Sequence, residues 1–178
     1  MTPGNTVRYR KLVKQELDWL AQQKIITKVF KCEWPCPTVN IMKPDSRLCG
    51  DYSLTVNKCK KLVKYQLPSV EDVIARVGDA KVFSKIDLES AYLQLPLDDE
   101  FKLLTTVNTT EGLYQFNYLP FGISSSPAIF QSFMCKVLSS IDNIIIYKDD
   151  ILIMTSTKHQ HIILDKVLQC LRETGIKL

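Results

Sequence analysis

Two adjacent aspartates, Asp149 and Asp150, stand between the apolar runs Ile144–Tyr147 and Ile151–Met154. Like charges held this close beside a hydrophobic surface are costly, because a carboxylate taken from water without a partner loses several kcal/mol. A divalent cation offsets that cost, and hard oxygen donors favour Mg²⁺ or Mn²⁺ over Zn²⁺. The pair alone also fits a solvated β-turn, where aspartate is common. A third acid, Asp87, closes the run Val82–Ile86. If that run is a strand beside the 144–154 segment, three carboxylates meet at one sheet surface. Such a set can hold two ions about 4 Å apart, the arrangement used for phosphoryl and nucleotidyl transfer.

The elements that must position these acids are readable from pattern. Val13, Leu17 and Leu20 recur at helical spacing and predict an amphipathic helix over about 7–24. Residues 25–30 read as a short strand, followed by the Pro-broken loop Glu33-Trp34-Pro35-Cys36-Pro37. Runs 38–43 and 47–52 form a predicted hairpin around Pro44-Asp45-Ser46. Residues 53–67 are polar and lysine-rich, a connection, and Pro68-Ser69 with Asp72 starts a helix that runs to about 77. A strand over 81–86, a short helix near 90–93, and strands over 103–107 and 114–118 around Glu111-Gly112 follow. Pro127 opens an apolar helix to about 138, the place where proline is tolerated. The acidic pair then sits at the tip of a tight hairpin, and a last helix covers about 158–174. Helices alternating with hairpins predict an α+β class.

Composition narrows the class further. The 178 residues suffice for one domain or two small lobes, and 46% hydrophobic with 24% charged residues is a globular balance. No run is apolar for long enough to span a bilayer, and the basic stretch 7–14 lacks the apolar core of a secretory signal. The expectation is an intracellular protein with no membrane partner. The six cysteines then read as free thiols, and their spacing fits no common zinc pattern. The net charge of +4 is uneven: residues 1–66 hold 13 basic and 5 acidic side chains, the remainder 10 and 14. A basic part beside an acidic part suits phosphate gripping by one and metal holding by the other; a solvated basic surface is the plainer reading.

The same residues carry a family resemblance. Phe83-Ser84-Lys85-Ile86-Asp87-Leu88-Glu89-Ser90-Ala91-Tyr92 resembles motif A of reverse transcriptases. Leu119-Pro120-Phe121-Gly122-Ile123 with Ser126-Pro127-Ala128-Ile129-Phe130-Gln131 resembles motif B, and Tyr147-Lys148-Asp149-Asp150 the Tyr-x-Asp-Asp box of motif C. Arg47-Leu48-Cys49-Gly50-Asp51-Tyr52 with Asn57, then Tyr65-Gln66-Leu67-Pro68, resemble the upstream fingers signature and the segment after it. The wording is closest to gypsy-type LTR retrotransposons, and the motifs follow one order along nearly the whole chain.

What the resemblance implies is specific. The fold would be a right-hand polymerase, fingers plus palm, with an antiparallel palm sheet backed by helices. Fingers would span 1–62 and 95–120, palm 63–94 and 121–178, with thumb, RNase H and integrase regions absent. Asp87, Asp149 and Asp150 would bind two Mg²⁺ ions, or Mn²⁺, with Asp150 the least direct ligand. Tyr92 would be a steric gate against ribonucleotides. Arg47 would clamp the triphosphate, with Lys43 as a second positive charge. Phe121 and Gly122 would border the nucleotide, and Gln131 and Tyr147 would contact template or primer. The activity would be RNA- and DNA-directed DNA synthesis from dNTPs on a primed RNA or DNA template. The partners would be the remaining polyprotein domains. The setting would be cytoplasm, nucleus or a retroelement particle.

Two departures accompany this. Lys148 stands where the family has a small or aliphatic residue. A positive charge about 4 Å from another costs about 4 kcal/mol at an effective dielectric of about 20. The chain also stops at Leu178, before the motif D lysine and a thumb. The expectation is therefore a polyprotein fragment or a decayed element copy. A nucleic-acid-binding remnant without turnover, and a two-metal nuclease, remain open alongside the polymerase.

Overall fold

The computed structural model describes residues 3–41, 47–58, 65, 68–155 and 160–178. The chain forms two compact units. One comprises Met1–Leu62 and Leu95–Ser126, the other Val63–Gln94 and Pro127–Leu178. Helices and strands are numbered in chain order.

The first unit is built on a five-stranded sheet. Its strands are β1 (Ile26–Val29), β2 (Cys36–Ile41), β3 (Arg47–Gly50), β5 (Val107–Thr109) and β6 (Gly112–Phe116), in the order β1-β6-β5-β2-β3. All neighbours are antiparallel except β2 and β5, which run parallel with Cys36 opposite Val107. Helix α1 (Pro3–Gln22) packs on β1 and β3 and buries Val13, Leu17 and Leu20. The helix ends at Lys24, whose φ of 58° is left-handed. Lys24 N–H donates to Ala21 O and Ile25 N–H to Leu20 O, the pair of bonds that closes a helix through a left-handed residue. Buried Tyr52 donates its hydroxyl to Thr105 O at 3.1 Å, and burial pushes that phenol far above its usual pKa.

One expectation fails in this unit. The run 103–107 is not a strand up to Val107; helix α3 (Asp99–Leu104) occupies its first part, and β5 begins at Val107. The cause is local. Asp98 caps the helix by accepting from Phe101 N–H at 2.7 Å, and Lys102 pairs with Asp99 one turn on. The predicted hairpin around Pro44-Asp45-Ser46 has its strands in β2 and β3; the turn itself lies outside the described residues.

The second unit carries a three-stranded antiparallel sheet, β4 (Val82–Asp87), β8 (Asp150–Thr155) and β7 (Ile144–Tyr147), with β8 central. Helix α2 (Val70–Val77) opens with a capping box between Ser69 and Asp72. Helix α4 (Ser126–Val137) presents Phe130 and Met134, with Leu138 just beyond, to the core at fourfold spacing, all three fully buried. Helix α5 (Gln160–Thr174) packs on β8 and β4 through elements that include buried Val167 and Leu171. Gly175 at φ 75° ends it with the same bond pair seen at Lys24, Gly175 N–H to Arg172 O and Ile176 N–H to Leu171 O. After the helix, Lys177 N–H donates to Gln94 Oε1 and Gln94 Nε2 to Lys177 O, which ties the last residues to the 3-10 turn Ala91–Gln94.

Candidate active site

Register brings the acids together. Strand β4 pairs with β8 so that Asp87 faces Asp150 directly, with Ile86 opposite Ile151 and Lys85 opposite Leu152. Directly opposed residues project to the same face of a sheet, so the two aspartates share one. Strand β7 pairs with β8 so that Tyr147 also faces Asp150, which leaves Lys148 and Asp149 as a two-residue turn. Leu88 N–H, one residue past Asp87, donates to Asp149 O at 3.2 Å. The end of β4 and the turn of the β7–β8 hairpin are therefore joined at the backbone. The residues that force this register are apolar: Ile86, Leu88, Ile146 and Ile151 are all buried behind the acids.

The carboxylates themselves lie toward solvent, Asp87 and Asp149 exposed and Asp150 part-buried. The cost of burying charge is thus smaller than the apolar flanks suggest. A cation is nevertheless present in the group. Lys85, two residues before Asp87 and on its face, places Nζ 3.0 Å from Asp150 Oδ2. The hydrogen bond and charge of Asp150, and then the charges of Asp87 and Asp149, raise its pKa above the usual lysine value. All three acids act on one positive charge. Among the described residues, no three His, Cys, Asp or Glu side chains are closed into a ligand shell. In donor type, charge and backbone placement the three aspartates fit a hard divalent ion.

Tyr92 lies in the 3-10 turn after β4, half-buried, with its ring edge-on to Phe130 at 5.6 Å between centroids. Burial, and then the negative charge of Asp149, raise the Tyr92 pKa. Its phenol thus belongs to the same neighbourhood as the acidic turn. Lys148 has φ 58°, a positive value at the first turn position, where glycine is usual. Its Nζ sits 5.3 Å from the Tyr147 ring centroid, a cation–π contact. Gln131 is 1% exposed. Its Nε2 donates to Ile146 O at 2.7 Å, and its Oε1 accepts from Lys148 N–H at 2.8 Å. Its carboxamide is thus engaged with the hairpin backbone rather than offered to a template strand.

The remaining expected residues belong to the first unit. Gly122 has φ 97°, and a Cβ there would come within 2.3 Å of Gly50 O, so only glycine fits. Phe121 beside it is part-buried. Arg47 opens β3 opposite Ile41, and Lys43 lies outside the described residues. Asn57 holds the loop after Phe121. It donates from Nδ2 to Gly122 O at 2.9 Å and accepts at Oδ1 from Ser124 N–H at 2.8 Å and Ser124 Oγ at 3.1 Å. Its place in the upstream signature marked Asn57 in the sequence, but no local pattern could reveal a partner 65 residues away.

Comparison with known proteins agrees on one family. Residues 8–178 match the family described as reverse transcriptase (RNA-dependent DNA polymerase). An uncharacterized protein of Caenorhabditis elegans is 33% identical over 171 residues, covering 93% of this chain and 13% of its own length. The retrovirus-related Pol polyprotein from transposon 412 of Drosophila melanogaster is 35% identical over 142 residues, covering 78% of this chain and 11% of its own. Among solved structures, the foamy viral protease-reverse transcriptase in complex with RNA/DNA hybrid superposes with a TM-score of 0.86 at 28% identity. It covers 96% of this chain and 23% of its own. The chain therefore spans about an eighth of the length of the first relative it matches.

Proposed function

This chain belongs to the reverse transcriptase family and has its right-hand polymerase fold, and from that premise we propose that it is the fingers and palm of an RNA- and DNA-directed DNA polymerase. Residues 1–62 and 95–120 serve as fingers and 63–94 and 121–178 as palm, a division near that of the two compact units, whose last boundary falls after Ser126. Asp87, Asp149 and Asp150 hold two Mg²⁺ ions, or Mn²⁺, which when bound supply an activated primer hydroxyl and charge neutralisation at the triphosphate. The observation that supports this most is the β4–β8 register that sets Asp87 opposite Asp150 and bonds Leu88 to Asp149.

The chain's own groups supply the rest. Tyr92, braced on Phe130, presents an aromatic wall that rejects a 2′-hydroxyl. Arg47 and Lys43 hold the triphosphate oxygens. Phe121 and the Cβ-free backbone at Gly122 border the nucleotide, with Asn57 fixing that loop. Tyr147 faces the primer. Sequence choice is left to base pairing, since backbone and shape contacts read no bases. Lys85, whose pair with Asp150 is exposed and of small intrinsic strength, would have to give up that carboxylate for it to hold a divalent ion.

The parent is a gypsy-type LTR retrotransposon polyprotein, a reading supported by the motif wording; the transposon 412 relative supports the coarser reading of a transposon polyprotein. Its further domains, a primed RNA or DNA template and dNTPs are the partners, in cytoplasm, nucleus or retroelement particle. Among the described residues no helix is long and apolar enough to cross a membrane.

A catalytically silent nucleic-acid-binding unit is the second reading, favoured by the lysine at the acidic turn. Primer extension on an RNA template separates the two. The polymerase gives Mg²⁺-dependent extension that Asp149→Asn abolishes. The silent unit binds the duplex without extending it. Strand cleavage without dNTPs would instead indicate a nuclease.

A further inference from the structure

Among the described residues, strand β7 is the outer strand of the second unit's sheet, with β8 as its one neighbouring strand. The outward backbone groups at its end therefore need partners from elsewhere. Because Tyr147 is the residue paired with Asp150, the C=O of Ile146 and the N–H of Lys148 point away from β8. Gln131, on α4, meets both: one donor to Ile146 O, one acceptor for Lys148 N–H, at 2.7 and 2.8 Å. Its Nε2 also lies 3.6 Å from Cys135 Sγ. A primary amide offers a donor and an acceptor side by side, as an adjacent strand does, and this one is fully buried.

The turn needs such support. Lys148 adopts a positive φ without being glycine, a conformation that persists only where its surroundings enforce it. The Lys148 φ sets the direction in which the chain delivers Asp149 and Asp150. A part-buried hydrogen bond to Gln131 Oε1, from the side opposite β8, fixes it.

We propose that Gln131 is a positioning residue that substitutes for a missing strand at the end of β7, holding the Lys148–Asp149 turn so that both aspartates keep their place beside Asp87. It acts through the backbone, its carboxamide bonded to Ile146 O and Lys148 N–H. The consequence for ion affinity rests on the reading of those acids as ligands; the consequence for the turn does not.

The test uses the full chain, with Gln131→Leu, which keeps most of the volume and removes both bonds. Met134→Ala, in the same helix and equally buried, controls for a general loss of packing. Two quantities are read: amide hydrogen exchange at Lys148, and Mn²⁺ affinity by electron paramagnetic resonance. In Gln131→Leu, Lys148 exchange accelerates and Mn²⁺ binding weakens about 10–100-fold, the size of effect seen when a partner that orients a ligand is removed. Met134→Ala leaves both near wild type under folding conditions. If Gln131→Leu exchanges Lys148 and binds Mn²⁺ as wild type does, or if Met134→Ala matches its losses, the positioning role is overturned. If wild type binds no Mn²⁺, the ligand reading fails, and Lys148 exchange alone decides: faster in Gln131→Leu sustains the role, unchanged overturns it.

Discussion

At the scale of single residues, charge and shape at the acidic turn determine what the chain can do. Lys85 is the cation that the structure places among the acids, and its raised pKa records their combined pull. A divalent ion must compete with it. Lys85→Met should therefore strengthen Mn²⁺ binding relative to wild type, measured by titration at neutral pH; weaker binding would mean that Lys85 instead holds Asp150 in its ligating position. Tyr92 makes the second residue-scale prediction. In an active chain Tyr92→Ala should admit ribonucleotides, read as the ratio of dNTP to rNTP incorporation, and an unchanged ratio would count against the gate. The acids were legible from residue type and position; Tyr92 and Gly122 entered only through the motifs they belong to. Asn57 and Gln131 were legible only as members of motifs, because what they do depends on backbone atoms brought near by folding. Lys148 was readable as an oddity, but its stacking on Tyr147 was not.

At the scale of elements, the sequence showed most of the periodic segments and missed where capping overrides propensity. Thr105-Thr106-Val107 is β-branched and favours a strand, whereas Asp98 and the Asp99–Lys102 pair start a helix that takes up Leu103 and Leu104 before it. The pairing of β4 with β8 could be supposed but not read, since register is fixed by the buried face of the completed sheet. Tyr52 gives an element-scale prediction about the 3-10 turn Tyr52–Leu54, which it anchors to Thr105. Its folded-state pKa is raised while the unfolded phenol ionises near 10. Below about pH 10 both states carry the proton and stability is unaffected. Above it the unfolded state loses protons that the folded state keeps, so stability falls as pH rises. Tyr52→Phe should flatten that alkaline limb and cost about 1 kcal/mol at neutral pH for the lost hydrogen bond, as measured by urea unfolding against pH. Asn57→Ala removes three hydrogen bonds to the 122–124 loop. It should lower stability by about 1–3 kcal/mol in the same assay.

At the scale of the whole molecule, the chain passes between its units after residues 62, 94 and 126, so each unit is completed by a segment distant in sequence. The family resemblance suggested crossings after 62, 94 and 120, and composition suggested none. What composition does show is charge: the surplus of basic residues lies in 1–66 and the surplus of acids beyond. If the basic part grips phosphate, affinity for a primed duplex should fall linearly on a log–log plot against salt, by about 0.9 per phosphate neutralised. A flat dependence would remove the electrostatic part of the account. The central claim, however, is that three aspartates from two distant stretches hold divalent ions together. Fe²⁺ can stand in for Mg²⁺ and, with ascorbate and peroxide, cuts the backbone nearest to it. The account predicts cuts at both Asp87 and the Asp149–Asp150 turn in wild type, suppressed by excess Mg²⁺ and lost together in Asp149→Asn. Cuts at only one of the two stretches, or at neither, would contradict it.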